Sequence, residues 1–528
     1  MAFQKATSAA SDARRDMLCG LVAMATSQHV ASVAVNNGGS GYTVGDVVEL
    51  THAGAYHPAR FEVTTVSAGA ITGLKILDNG AFSNRVASVA LVGGGTGYAV
   101  GDILRFTGGT YTEFAKIRVD AVTAGNATAI SLIETGGAYS IAPGTATSSD
   151  VGVGSGTGLT ATPTMTGLTG TAALAVTGTA TVDIVLVESG WSALEASQNQ
   201  NNYSVNGIDD EKEVILRGTS STSNEPLIGI RSYTNTQGIN THYGWVLTMM
   251  DFYSPSLAFG EQQNQQPRAF PDDSDGSYLL MFDNAQEYWM RLDGRHCQVV
   301  VKAVGTTTTG YNHCYLGLLE PMGTTTEMPY AGYVQGCTGN GFQTADNNGT
   351  GVTGPTELVG PNHTLVPAYV RFEDSNWWGV ANSTGTTASR VNVVSPLGAP
   401  TTMSGSDPLH RETVAINPSM ANDNISRRGL GTPESVIMPA LGTDEILLWP
   451  CTVISTANGT NDTGGSTTNN AYTLPRGDVS GIFWCPATAA DGSALVAEDE
   501  IVVDGQDHIL FQNATRSERY SYFALRRN

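Results

Sequence analysis

The stretch Gln298-Val299-Val300-Val301-Lys302-Ala303-Val304 is a valine-rich run of the kind that favours a strand buried on both faces. A turn-rich break at residues 306–311 separates it from a second apolar run, Cys314-Tyr315-Leu316-Gly317-Leu318-Leu319. Upstream, Tyr288-Trp289 and the turn signal Asp293-Gly294 lead into the first run. The pattern predicts a hairpin in the core of an antiparallel sheet, not an active site.

The composition extends this expectation to the whole chain. Only 14% of the 528 residues are charged, 62 are glycine, and short hydrophobic runs are separated by Gly, Asn and Asp. This is typical of an all-β protein with many turns, and the length allows about three or four domains. A hydrophobic content of 41% argues against disorder. We expect a multidomain all-β fold in which a small tandem-repeat domain precedes domains like β-sandwiches or jelly rolls.

The net charge of −22 excludes nucleic acid as an expected partner, because phosphate binding depends on Lys and Arg. It is compatible with solubility, with divalent cation binding and with packing against a basic partner. The six cysteines are dispersed and include no CxxC pair. We therefore expect buried free thiols, without a disulfide framework or a zinc site.

The N-terminal region predicts one short helix. Ser11 can cap a helix that runs through residues 14–18. The apolar patch at residues 17–25 follows a late basic pair, Arg14-Arg15, and is interrupted by Gly20, which does not fit a secretory signal. No run reaches the length of a membrane span. We expect synthesis in the cytoplasm without a signal peptide, and no membrane insertion.

A duplicated unit follows. Ala31-Ser32-Val33-Ala34-Val35 and the segment 41–47 recur at 87–91 and 97–103, and from Gly41 to Gly97 the offset is 56 residues. Each copy continues with an alternating strand, at 61–66 and at 115–122. This is the signature of a small β unit present twice.

Four residues in each copy are predicted to build its turn. They are Gly41, Tyr42, Gly45 and Asp46 in the first copy, and Gly97, Tyr98, Gly101 and Asp102 in the second. The glycines supply positive φ, and the tyrosine ring can cover glycine backbone at the end of the sheet. Each aspartate is either a turn residue bonded to its own backbone or a calcium ligand. One carboxylate per turn lacks the clustered oxygens that calcium requires, which favours the turn.

The tandem Gly-Ser-Gly-Tyr-Thr-Val-Gly-Asp units resemble repeats of structural proteins from tailed bacteriophages, over residues 31–141. The Gly/Thr-rich segment after them predicts either a flexible linker or a repetitive edge strand clamped between subunits. The predicted domains are an N-terminal helix or arm (1–29), the repeat domain (30–145), the linker (146–180), a β-sandwich domain (181–345) and a C-terminal β domain packed on it (346–528).

The remainder of the chain also resembles virion proteins of tailed phages, by the order of its motifs over residues 182–528. These include Glu188-Ser189-Gly190-Trp191, Ile228-Gly229-Ile230-Arg231, Val299-Val300-Val301-Lys302, Glu445-Ile446-Leu447-Leu448-Trp449-Pro450 and Gly481-Ile482-Phe483-Trp484. The resemblance implies a tail, baseplate or fibre component located in the virion. Its partners would be further copies of itself and other virion proteins, and it transfers no catalytic residue and no cofactor.

Candidate sites for chemistry are few. The acidic run at 272–276 fails the calcium-loop pattern, because Phe282 falls where a bidentate Glu is needed. The pairs His296-Cys297 and His313-Cys314 lie on the two hairpin strands, where neighbouring residues face opposite sides, so a metal site is not expected.

Two further groups of residues could serve a phage protein that contacts its host. Trp377 and Trp378, with Trp191, Trp245 and Tyr288, could stack on a host surface glycan, although core or interface packing is the favoured interpretation. Glu498-Asp499-Glu500 could supply paired carboxylates for glycoside hydrolysis, or simply form an acidic turn before the hairpin strands at 500–505 and 508–511.

The sequence thus predicts a structural virion protein without enzymatic activity. A receptor-binding fibre or spike is the first alternative, and a polysaccharide-degrading enzyme is the second.

Overall fold

The computed structural model shows an all-β, multidomain protein built from several separate sheets. It describes residues 2–8, 13–50, 52, 55–82, 85–109, 113–137, 139, 142–145, 147–149, 156–165, 172–198, 208–219, 225–235, 242–257, 259–263, 277–281, 285–304, 309–320, 332–335, 368–371, 377–379, 391–394, 448–457, 472–485, 495–512 and 522–527. The chain divides into two compact units. The first holds residues 1–4, 19–196 and 292–294, and the second holds 5–18, 197–291 and 295–528.

Up to residue 198, the described residues form one helix among many strands. In chain order, these are β1 (Ala2–Thr7), α1 (Ala13–Ala25), β2 (Gln28–Asn37), β3 (Val47–Glu49), β4 (Ala55–His57), β5 (Arg60–Ser67), β6 (Ala70–Asp78), β7 (Ala81–Phe82), β8 (Val86–Thr96), β9 (Ile103–Phe106), β10 (Glu113–Thr123), β11 (Asn126–Gly137), β12 (Thr147–Ser149), β13 (Thr157–Met165), β14 (Ala172–Ala175), β15 (Thr181–Glu188) and β16 (Trp191–Gln198). The short N-terminal helix expected from the sequence is confirmed as α1, and Ser11 lies outside the described residues.

After residue 198, the described elements are strands and one 3-10 turn. They are β17 (Ile208–Gly218), β18 (Leu227–Asn235), β19 (His242–Met250), the 3-10 turn Phe259–Glu261, β20 (Ser277–Met281), β21 (Glu287–Asp293), β22 (His296–Val304), β23 (Thr309–Leu318), β24 (Gly332–Gln335), β25 (Ala368–Arg371), β26 (Trp377–Gly379), β27 (Val391–Val394), β28 (Trp449–Ala457), β29 (Tyr472–Cys485), β30 (Glu500–Val503), β31 (Gln506–Gln512) and β32 (Tyr522–Arg526). No described helix is long and apolar enough to cross a bilayer.

The first unit contains the duplicated β unit, and the duplication extends into its core. The offset of 56 residues relates buried positions of one hydrophobic cluster to buried positions of another. The matching pairs are Val30 and Val86, Val48 and Leu104, Leu50 and Phe106, Ala59 and Ala115, Phe61 and Ile117, and Val63 and Val119. Each copy therefore buries apolar side chains at the same positions, which is what a repeated unit with its own core requires.

The second copy is nested inside the first. Strand β8 of the second copy pairs with β13, so that Leu91 lies opposite Ala161. The equivalent strand of the first copy, β2, pairs with β15, so that Val35 lies opposite Val182. The closing strand of the first copy thus comes after the whole second copy in the chain. The repeat structure therefore extends to the end of β15, beyond the predicted boundary at residue 145.

The segment 146–180 contains paired strands where a flexible linker was one prediction. Strands β12, β13 and β14 pair with β9, β8 and β15, respectively. Most of the described part of this segment is therefore sheet, and its glycines at 156 and 178 leave room for the tyrosines of the repeat turns.

The second unit contains the sheets of the C-terminal half. One has the order β1-β21-β22-β23-β24-β25-β26, and another has the order β27-β28-β29-β32-β31-β30. Strands β17 to β20 form consecutive antiparallel pairs. The predicted hairpin is confirmed, because β22 pairs with β23 from His296 opposite Gly317 to Val304 opposite Thr309. The predicted C-terminal hairpin is confirmed by the pairing of β30 with β31.

Candidate functional sites: the repeat turns and the Glu498 cluster

The aspartates of the two repeat turns bond to the turn backbone. The carboxylate of Asp46 accepts hydrogen bonds from the backbone N–H of Thr43 (2.8 Å) and from its hydroxyl (2.9 Å). The carboxylate of Asp102 accepts one from the N–H of Ala99 (2.9 Å). The bonds from Thr43 lower the pKa of Asp46, since they favour its ionised form. Within the described residues, no group of three or more His, Cys, Asp or Glu is placed to hold a metal ion.

The second turn glycine of each copy has the conformation that the sequence pattern implies. Gly45 has φ of 94° and Gly101 has φ of 97°. Their N–H groups donate to Val63 O (2.9 Å) and to Val119 O (2.8 Å), respectively. A Cβ at either position would meet nothing within 4 Å, so the requirement for glycine is one of backbone conformation and not of space.

The repeat tyrosines pack on the segment that closes each copy. The hydroxyl of Tyr42 accepts from the N–H of Thr179 (2.8 Å) and of Ala180 (3.1 Å) and donates to Thr177 O (3.1 Å). A Cβ at Gly178 would lie 2.2 Å from that hydroxyl oxygen. The tyrosine therefore binds the strand connection that precedes β15, far along the chain from its own turn.

Tyr98 makes the equivalent contact in the second copy. A Cβ at Gly156 would lie 2.3 Å from Cδ1 of the Tyr98 ring, and the hydroxyl accepts from Leu159 N–H (3.3 Å). In each copy the tyrosine lies against a glycine of the closing segment, Gly178 for Tyr42 and Gly156 for Tyr98. Both belong to the segment predicted as a linker, and neither was identified from the sequence.

A cluster of charged side chains surrounds Glu498 in the second unit. Lys302 Nζ lies 2.5 Å from Glu498 Oε1 and 3.1 Å from Glu287 Oε2. The Tyr311 hydroxyl donates to Glu498 Oε1 (2.8 Å), and Lys5 Nζ lies 3.5 Å from Glu498 Oε2. Strands β1, β21, β22 and β23 thus supply one side chain each, and the turn before β30 supplies the carboxylate.

An aromatic group lies beside this cluster. Trp289 and Phe511 pack edge to face with ring centroids 4.8 Å apart, and Tyr311 lies 5.4 Å from Phe511. Lys5 Nζ lies 5.0 Å from the centroid of the Trp289 ring, within the range of a cation–π contact. The charges are therefore partly shielded from water on one side.

Electrostatics keep Glu498 ionised. Burial raises its pKa, but the hydrogen bonds from Lys302 and Tyr311 outweigh that effect, and the pKa of the carboxyl lies below its usual value. The hydrogen bond to Glu498 raises the pKa of Lys302 in turn. A general acid for glycoside cleavage needs the opposite shift, a raised carboxyl pKa.

The two neighbouring carboxylates have partners of their own. Asp499 accepts a hydrogen bond from Val496 N–H (2.9 Å), and Glu500 accepts one from Arg527 Nη1 (2.9 Å). Of the three acidic residues considered for hydrolysis, Glu498 therefore bonds to neighbouring strands, Asp499 to the backbone of its own turn and Glu500 to Arg527.

The tryptophan pair and the acidic run were also candidates from the sequence. Trp377 and Trp378 lie on β26, where they pair with Arg371 and Val370 of β25, and the structure does not describe their side chains. Trp191, Trp245 and Tyr288 are buried and are therefore not available to stack on a glycan. The acidic run 272–276 also lies outside the described residues.

The histidines of the hairpin are buried in separate surroundings. His296 lies 5.9 Å from the Tyr315 ring, and His313 lies 5.1 Å from the Phe523 ring. Cys297 and Cys314 are buried free thiols, as expected.

A buried ion pair was not found from the sequence. Arg231 Nη2 lies 2.7 Å from Glu213 Oε1, both side chains are fully buried, and the guanidinium lies 4.6 Å from the Phe259 ring centroid. The two residues face each other across β17 and β18. The only sequence signal is that each charge interrupts a hydrophobic strand, and this is also true of Lys302.

Comparison of the chain with models of protein families finds no match, and a search of curated proteins finds none with significant similarity.

Proposed function

We propose that this chain is a structural component of a tailed-phage virion, which builds or decorates the tail or baseplate through contacts with its own copies and with other virion proteins. The proposal is supported by the resemblance of its tandem repeats to those of phage structural proteins. The nested arrangement of two β units adds to this support, because it joins both copies in one compact unit of a chain with few charges.

The observation that carries the proposal is a pair of exposed valines. Val44 and Val100 occupy equivalent positions at the tips of the two repeat turns and are 62% and 63% exposed. Single exposed apolar residues are ordinary on protein surfaces. Here the same side chain is presented twice, each time on a turn fixed by an aspartate and a positive-φ glycine. Such a repeated, rigid apolar tip suits burial against a neighbouring subunit.

Light scattering on the purified full-length protein, with and without a chelator, tests the proposal. A concentration-dependent assembly that chelation does not change is expected, and Val44→Asp with Val100→Asp should shift it to lower mass. The matched control is Ser67→Asp with Thr123→Asp, which changes exposed residues at equivalent positions away from the tips. Equal assembly by both double variants would contradict the role of the valines.

The mass also discriminates between the forms of the proposal. A stable trimer would direct attention to a fibre or spike, and binding to host surface glycan would be measured next. A monomer would favour a component that assembles only on other virion proteins. Release of reducing ends from host polysaccharide, lost in Glu498→Gln, would overturn the structural proposal in favour of an enzyme.

A further inference from the structure

The backbone arrangement of the repeat turns occurs a third time, before β30. Asp499 N–H donates to Val496 O (3.2 Å), and the Asp499 carboxylate accepts from Val496 N–H (2.9 Å). The backbone of the turn then pairs with Leu510: Leu510 N–H donates to Asp499 O (2.9 Å), and Glu498 N–H donates to Leu510 O (2.7 Å).

These four bonds match the bonds of the repeat turns one by one. In the first copy, Asp46 N–H donates to Thr43 O (3.2 Å), and the Asp46 carboxylate accepts from Thr43 N–H (2.8 Å). Val63 N–H donates to Asp46 O (2.8 Å), and Gly45 N–H donates to Val63 O (2.9 Å). Position 498 therefore corresponds to the glycine of the repeat turns.

The third turn differs by having a side chain at that position. Glu498 has φ of 75°, in the left-handed region where Gly45 and Gly101 lie. A residue with a Cβ pays a conformational penalty in this region, and it stays there only where the surroundings hold it.

The surroundings of Glu498 supply such a restraint. Its carboxylate lies within 3.5 Å of Lys302, Tyr311 and Lys5, which come from three different strands. At Gly45 and Gly101, by contrast, a Cβ would meet nothing within 4 Å. Of the three turns, only the third therefore combines a strained residue, Glu498, with neighbouring cations, Lys302 and Lys5.

We propose that Glu498 makes this third turn a charge-held latch, which ties the C-terminal hairpin to β1 and β22 and opens when its carboxylate is neutralised. Loss of the charge removes the ion pairs with Lys302 and Lys5. The conformational cost of the left-handed backbone at Glu498 is then no longer offset by them. The turn then leaves this conformation, and β1 loses the contact between Lys5 and Glu498, while Lys5 keeps its contacts with Glu287 and Trp289.

The charged groups around the latch are defined by the strands that pack on it. Lys5 of β1, Lys302 of β22 and Tyr311 of β23 face Glu498, and Glu287 of β21 bonds to Lys302 and lies 3.9 Å from Lys5 Nζ. In the same turn, Asp499 is bonded to Val496 and Glu500 to Arg527.

The direction of the pH dependence follows from the ionisation of Glu498. Because its pKa is lowered in the folded protein, its stabilisation is present above the usual carboxyl pKa and is lost as the pH falls through the folded value. The latch is therefore closed at neutral pH and opens in acid.

Hydrogen exchange measured by mass spectrometry on the full-length protein, corrected for intrinsic rates, tests the latch. Glu498→Gln removes the charge and keeps the shape, and it is expected to speed exchange at least about tenfold in peptides covering 495–512 and 2–8. Glu498→Gly removes both the charge and the strain. It should restore slow exchange in 495–512 but leave 2–8 fast.

Two further variants keep the test decisive. Lys302→Met removes the nearer of the two cations and leaves the turn sequence intact, and it should speed exchange in 495–512 even if Glu498→Gln folds poorly. Gly101→Glu places the same side chain at the equivalent positive-φ position of the second copy, where a Cβ would meet nothing within 4 Å. The backbone strain should then destabilise the second repeat copy. Wild-type exchange rates in both Glu498→Gln and Lys302→Met would overturn the latch.

Discussion

Replacing Gly156 with alanine is expected to destabilise the second repeat copy by about 1–3 kcal/mol, the usual cost of forcing an extra methyl group into a packed site. The new Cβ would lie 2.3 Å from Cδ1 and 2.4 Å from Cγ and Cε1 of the Tyr98 ring. Tyr98 is only 5% exposed, and its hydroxyl is bonded to Leu159, so the ring has no free path away from the clash.

Urea unfolding and thermal melting of the full-length protein measure this cost. For a unit of this size, each kcal/mol is expected to lower the Tm by about 2–4 °C. The matched control is Gly144→Ala, whose Cβ would lie 3.6 Å from Thr107 O, an ordinary contact. It should change stability by less than about 0.5 kcal/mol.

A double-mutant cycle separates the clash from other effects of the methyl group. In a Tyr98→Leu background, which removes the ring, Gly156→Ala should lose most of its cost. Two results would contradict this explanation of the small residues around Gly156. Gly156→Ala could destabilise the protein no more than Gly144→Ala does, or its loss of stability could be unchanged in the Tyr98→Leu background.

Three other substitutions test separate features. Glu213→Leu should destabilise the second unit by about 3–5 kcal/mol by removing the carboxylate paired with the buried Arg231 guanidinium, and adding Arg231→Met should recover most of this loss in urea unfolding. Ala68 has φ of 50° in the hairpin turn before β6, so Ala68→Asn should raise the Tm by relieving up to about 1 kcal/mol, whereas Ala68→Val should lower it. Burial lowers the pKa of His313 to about 3, so stability should fall by about 1 kcal/mol per pH unit as the pH drops from the unfolded value near 6.5, and His313→Leu should lose this slope.

Each of these three has a result that would contradict it. A double variant of Glu213 and Arg231 as unstable as the single one would mean that the site needs more than charge balance. Equal melting temperatures for Ala68→Asn and Ala68→Val would remove the argument from positive φ. An unchanged pH slope in His313→Leu would assign that slope to other groups.

Local patterns in the sequence predicted the elements whose partners are close along the chain. The valine run 298–304 and its neighbour at 314–319 are a few residues apart, so hydrophobic pattern and turn residues define the hairpin. The 56-residue offset gave the repeat, because turn chemistry and core positions recur together.

The nesting of the repeat copies could not be predicted in this way. Val35 pairs with Val182, and no local pattern links strands so far apart. Residues 156–180, which include β13 and lead into β15, are also rich in Gly, Thr and Ala. Part of the reason is that Tyr98 and Tyr42 occupy the space beside Gly156 and Gly178, and such a composition is also typical of a linker. The third turn was not recognised in the sequence, because Glu498 stands where the other two turns have a glycine.

The central claim, that this chain is a structural part of a virion, is tested most directly by the protein composition of particles. If the proposal holds, a tailed phage encodes the chain, and mass spectrometry would be applied to particles of that phage after banding on a density gradient. A structural role predicts that the protein is present in several copies per particle and stays bound through repeated banding. Its absence from intact particles, with the protein found only in the lysate, would contradict that role.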